Sequence, residues 1–189
     1  MKKLSLIVAT TTEYGIGKNN TIPWNVPEEL NNFKRITSDT IDKNKKNCII
    51  MGKNTWASLP KKPLPNRINI VISSSLIGSI GDKNSSVVII NNILDAIKCA
   101  NEREDIENIF IIGGEIVYNE IINNHIELID KIYLSIVNDK YYECDKYINM
   151  EKIYKNFILN SENIHVLERY IFMIFDKKKT LIDIDEPVD

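Results

Sequence analysis

Apolar runs rich in β-branched residues recur along this chain, separated by polar stretches. Leu4–Thr10, Cys48–Met51, Ile68–Ser73, Val87–Ile90, Asn108–Ile112 and Lys131–Val137 read as strands. Phe157–Leu159 and Tyr170–Phe175 read as a closing antiparallel pair. The runs are continuous and lack the strict alternation of a half-exposed strand, so the strands are expected to be covered on both faces. Helical spacing falls between them. Pro27–Ser38 opens with a proline followed by two glutamates, residues that suit a helix N-terminus. Asn92–Asn101 carries Ile93, Ile97 and Ala100 at helical spacing, and Glu115–Asn123 carries Ile116, Tyr118, Ile121 and Ile122. Strand and helix in alternation predict an α/β fold with a mostly parallel sheet.

Composition narrows the class. With 189 residues the chain suits one domain. A hydrophobic fraction of 43% and a charged fraction of 26% exclude disorder, collagen and a disulfide scaffold. A net charge of −2 argues against a nucleic-acid binder that works by bulk basic charge. Cys48, Cys99 and Cys144 form no CxxC pair, and His125 and His165 are the only imidazoles. No metal site is expected, and the free thiols point to a reducing compartment, the cytoplasm. Neither a signal peptide nor a membrane span is expected. The tail 180–189 is polar and acidic, and the domain is expected to cover 1–179.

Several segments have the composition of a ligand site. Glu29, Phe33 and Ile36 share one helix face, which puts a carboxylate in the first turn of an apolar surface. Buried there, it would hold a flat nitrogen-rich ring and exchange a proton near neutrality; in water it would only favour the helix dipole. Gly113-Gly114 stands between a strand and a helix, where backbone can approach an anion, or simply turn tightly. Gly52-Lys53-Asn54-Thr55 and Ser73-Ser74-Ser75 also end strands and are compatible with phosphate. Neither GxGxxG nor Walker A spacing is present. Arg67, in the rigid Pro63-Leu64-Pro65-Asn66-Arg67 turn, suits a carboxylate partner or a turn cap. The segment from Gly15 to Asn20 suits a mobile lid or a plain surface turn.

Together these segments resemble dihydrofolate reductase. The resemblance runs from Leu4 to about Phe175, through IVA, GIGKNNTIPWNVPEELNNFK, MGKNTWASLP, PLPNRINIVIS and IFIIGGEIVYNEI in the family's order. It implies a central mixed, mostly parallel eight-stranded sheet flanked by helices, with a C-terminal antiparallel hairpin. It also implies reduction of 7,8-dihydrofolate by NADPH, with a hydride to C6 and a proton to N5. By resemblance, Glu29 binds the pterin and, through water, helps supply the proton; Trp24 orders that water and Ser135 partners the acid. Ile7, Val8, Phe33, Ile112 and Tyr118 would surround the substrate, Leu59 and Leu64 its p-aminobenzoyl ring, and Arg67 its glutamate tail. The cofactor would meet Ala9, the loop residues Gly15, Ile16, Gly17, Lys18, Asn19 and Thr21, and then Gly52, Lys53, Asn54 and Thr55. Further contacts would come from Ser73, Ser74 and Ser75, from a cis-linked Gly113-Gly114, and from Ile112, Glu115, Ile116, Val117 and Tyr118.

Ser135 departs from the family's usual threonine, and Glu115 places an acid near the expected phosphates. The resemblance also implies binding of antifolate inhibitors, and either a monomer or a domain fused to thymidylate synthase. Two other readings are a pyrimidine reductase of similar fold and a non-catalytic folate- or nucleotide-binding protein. The acid in PEEL and the arginine in PLPNR count against the first, and intact Trp24, Glu29 and Gly113-Gly114 against the second.

Overall fold

A computed structural model describes residues 1–75 and 85–178. The expected tail, 180–189, and the last residue of the expected 1–179 domain lie outside the described residues. The strands are β1 (Leu4–Thr11), β2 (Gly15–Gly17), β3 (Lys46–Gly52), β4 (Arg67–Ile72), β5 (Val87–Ile90), β6 (Ile106–Ile111), β7 (Lys131–Val137), β8 (Lys146–Tyr147), β9 (Phe157–Val166) and β10 (Tyr170–Lys177). The helices are α1 (Pro27–Ser38), α2 (Lys53–Ser58), α3 (Ile93–Glu102), α4 (Glu115–Asn124) and α5 (Met150–Asn156), with a 3-10 turn at Ile126–Leu128.

Eight strands form one sheet in the order β5-β4-β3-β6-β1-β7-β10-β9. The pairings from β5 to β7 are all parallel, and β10 pairs antiparallel with both β7 and β9. The expected mostly parallel sheet with a C-terminal hairpin is therefore present. The central strands are covered on both faces. Leu4, Leu6 and Val8 of β1 join one core with Ile97 and Ala100 of α3, Ile121 and Ile122 of α4 and Ile153 of α5. Ile7 of β1 joins the opposite core with Ile49, Met51, Phe110 and Ile112, against which Phe33 and Ile36 of α1 pack. Period-two side chains on strands buried from both sides produce this division.

Local chemistry sets the helix starts. Pro27 stands at the first turn of α1 with Glu28 and Glu29. Asn92 caps α3 by accepting the Asp95 amide at 2.9 Å. Asn149 caps α5 by accepting the Lys152 amide at 3.4 Å. Sequence patterning did not show α5, β2 or β8, which span 7, 3 and 2 residues. It also ended β9 at Leu159, whereas that strand continues to Val166. The added stretch is an exposed edge with polar residues, so it lacks the apolar run that marks a buried strand.

Candidate active site

The adjacent parallel strands β3 and β6 end next to each other, and their ends are tightly joined. The Gly52 amide donates to the Gly113 carbonyl at 2.7 Å, and the Ile112 amide to the Ile50 carbonyl at 2.9 Å. The Gly113-Gly114 peptide is cis, as the resemblance implied. Gly113 has a φ of 101°, and a Cβ there would meet the Tyr118 ring at 2.6 Å. A Cβ on Gly114 would meet Thr55 Oγ1 at 3.0 Å, and one on Gly52 would meet Val117 Cγ2 at 3.1 Å. Bare backbone from two strand ends therefore converges with the starts of α2 and α4. Such convergence at the carboxyl edge of a parallel sheet is where ligands of α/β folds sit.

Glu29 lies in the first turn of α1 and is half-buried. Burial raises its carboxyl above the ordinary range, and the Ser135 hydroxyl pulls it partway back. Ser135 is itself buried and pairs with Ala9 across β7 and β1. Tyr118 donates its hydroxyl to the Ile7 carbonyl at 2.7 Å. Burial, then the nearby Glu29 charge, pushes its phenol up. One partly desolvated carboxylate thus has a hydroxyl beside it. Its raised pKa lets it gain and lose a proton closer to neutrality than a free glutamate.

Ile7, Phe33, Leu59, Leu64 and Ile112 share one apolar cluster. Val8 turns its side chain into the opposite core, so only its backbone lies on the Glu29 side of the sheet. Trp24 is buried in a third cluster with Val26 and Tyr170, and meets Tyr142 edge-on at 5.8 Å.

Arg67 is 4% exposed. Its Nε donates to the Pro65 carbonyl at 3.1 Å and its Nη1 to Thr37 Oγ1 at 2.8 Å. These bonds fix the guanidinium plane, and among the described residues Nη2 has no hydrogen-bond partner. Thr37, which sequence reasoning missed, in turn donates to the Phe33 carbonyl at 2.8 Å. Its signal was weak: a threonine in the last turn of a helix.

On the far side of the glycines, Lys53 Nζ donates to Ser75 Oγ at 2.8 Å, and the Ser75 amide donates to Ser73 Oγ at 3.3 Å. Lys53, Asn54 and Ser74 are exposed. A lysine, hydroxyls and glycine backbone at adjacent strand ends fit a phosphorylated dinucleotide.

The loop following β1 is more ordered than its composition suggested. Lys18 and Thr21 exchange two backbone hydrogen bonds of 2.9 Å across Asn19 and Asn20, whose φ values are 51° and 60°. This is a two-residue hairpin turn with left-handed central residues. β2 pairs with β8, and a Cβ on Gly15 would lie 2.5 Å from Cys144. Lys18 forms an ion pair with Glu143, and the Asn19 amide donates to Asp145 Oδ2 at 3.1 Å. The segment around Cys144–Tyr147, which includes β8, was not revealed by the sequence, because two-residue strands carry no pattern.

Glu115 does not stand as an isolated acid. It accepts the Tyr147 amide at 3.1 Å and lies 3.7 Å from Lys146 Nζ. Val117 is buried on α4, whereas Ile116 is 80% exposed and leaves the expected apolar face of the helix. Among the described residues, no cluster of His, Cys, Asp and Glu could hold a metal ion, and no helix is long and apolar enough to cross a membrane.

Comparison with known proteins bears directly on this site. The family described as dihydrofolate reductase matches residues 3–173. A putative dihydrofolate reductase of Caenorhabditis elegans is 33% identical, covering 89% of this chain and 91% of that protein. Dihydrofolate reductase of Ureaplasma parvum is 36% identical over 93% of this chain and 98% of its own. A bifunctional dihydrofolate reductase-thymidylate synthase of Arabidopsis thaliana is 37% identical over 76% of this chain and 26% of that protein. A match over nearly the whole chain, joined to the half-buried acid and the paired glycines, places this protein in the dihydrofolate reductase family.

Proposed function

We propose that the chain reduces 7,8-dihydrofolate to tetrahydrofolate with NADPH. The observation that carries the reading is the half-buried Glu29 beside Ser135, its carboxyl raised by burial. An ionised Glu29 accepts paired N–H donors from the pterin's amino-pyrimidine edge. Its pKa is raised above that of a free glutamate by burial, so it holds a proton to higher pH and can relay it through water toward N5. Ser135 orients the carboxylate. Phe33, Ile7 and Ile112 exclude bulk water and hold the ring flat. Leu59 and Leu64 line the path to Arg67, whose Nη2 receives the carboxylate of the glutamate tail.

The cofactor, when bound, supplies the hydride. Gly113 and Gly114 give the close backbone approach it needs, and α4 behind them offers amides to its pyrophosphate. Lys53, Thr55, Ser73 and Ser75 hold the phosphorylated adenosine half, and the extra cation is the argument for NADPH over NADH. The hairpin from Gly15 to Thr21 covers the nicotinamide side. The reductase domain covers residues 1–179, as a monomer or as a domain fused to thymidylate synthase, and works in the cytoplasm, consistent with the three free thiols.

Loss of NADPH absorbance with purified protein and dihydrofolate tests the proposal. The expected result is steady oxidation that methotrexate abolishes. Folded protein that binds NADPH and leaves it unoxidised would refute the reaction.

A further inference from the structure

A cavity of about 610 Å³ opens on the same sheet face as Glu29, nearer the N-terminal ends of the parallel strands. It shares no lining residue with the groups assigned to substrate or cofactor. Ser5, Phe110 and Tyr133 make its floor, each two residues before a site residue on its strand or just past its end: Ile7, Ile112 and Ser135. Side chains two apart on a strand share a face, so the cavity lies one rung from the active site. Ile36 and Ile41 wall it from the C-terminal end of α1 and the loop beyond. The volume is that of a small-molecule site.

Its polar groups are arranged for an occupant. Ser5 is 5% exposed, and among the described residues its hydroxyl has no hydrogen-bond partner. The Tyr133 hydroxyl is likewise unpartnered, while its ring lies 6.0 Å from that of Phe110. Asp39, Glu107, Asp130 and Asp176 line the cavity against Lys3 and Lys131. Glu107 is occupied by the Ile41 and Asp42 amides, and Lys131 is paired with Asp176 at 3.2 Å. The Asp39 carboxylate has no partner among the described residues, and Asp130 spends one oxygen on the Leu4 amide. Acids outnumber bases, and the floor is aromatic.

We propose that this cavity is a second small-molecule site, selective for a flat aromatic cation. The ring lies on Phe110 and Tyr133, its N–H donors reach Asp39 and Asp130, and the Ser5 hydroxyl takes a further polar contact. The occupant would touch the C-terminal end of the same helix whose first turn carries Glu29, about 15 Å away along the axis.

Benzamidine, titrated into the full-length protein and followed by amide NMR shifts, tests the site without reference to activity. The expected result is saturable shifts at Ser5, Ile41 and Asn108. Asp39→Asn, at an exposed position, should weaken that binding about threefold. Ser5→Leu, which fills the floor, should abolish those shifts while leaving the protein's spectrum otherwise folded. Shifts confined to the surroundings of Glu29, or no saturable shifts at all, would overturn the proposal. So would binding at the cavity that neither substitution alters. None of these outcomes depends on the reductase reading, which the NADPH assay decides separately.

Discussion

At the scale of single residues, Glu29 carries a conflict between stability and chemistry. Its folded pKa is raised by burial, so the folded state favours the protonated form. The favourable contribution of that protonated carboxyl is complete below the ordinary glutamate pKa. It is lost as pH rises through the folded value. Above the folded value the fold bears the cost of an ionised, part-buried acid. Glu29→Gln should melt higher than the parent at pH 7.5, with the difference vanishing near pH 4. Equal melting temperatures at both pH values would remove the burial argument. Arg67 has the opposite character, because its plane is already set by Pro65 and Thr37. Arg67→Leu should raise the KM for dihydrofolate by about tenfold or more, with a smaller change in kcat. Thr37→Val, which only releases the guanidinium, should raise it less. An unchanged KM in both variants would place the substrate tail elsewhere.

Among elements, the junction of β3, β6 and α4 is the least tolerant of change. Gly113 combines a left-handed φ of 101° with a virtual Cβ 2.6 Å from the Tyr118 ring. Gly113→Ala should cost about 3 kcal/mol in stability and should displace the Tyr118 hydroxyl from Ile7. Denaturant unfolding measures the cost, and a loss under about 1 kcal/mol would show that the junction adapts. This junction was legible in the sequence because two adjacent glycines after an apolar strand are a local signal. The clamp formed by β8 was not, since Cys144, Asp145 and Lys146 meet the Gly15–Asn19 loop only through tertiary contacts. Nor was the neutralisation of Glu115, whose partner Lys146 lies 31 positions away.

For the whole molecule, continuous apolar strands fixed the parallel core, and the closing hairpin followed from two late apolar runs. Edge strand β9 escaped in part because its outer residues face water and carry no burial pattern. The same topology explains the site: parallel strands bring Ile7, Gly52, Gly113 and Ser135 together from four distant segments, while α1 lays Glu29 across them. In the proposed reaction the half-buried Glu29 carboxylate governs protonation of dihydrofolate. Single-turnover hydride transfer from NADPH, measured across pH in the parent and in Glu29→Gln, tests it most directly. In the parent the rate should fall as pH rises through a pKa above that of a free glutamate. In Glu29→Gln it should be low and lose that inflection. A variant that keeps the parent's rate and pH profile would contradict the claim.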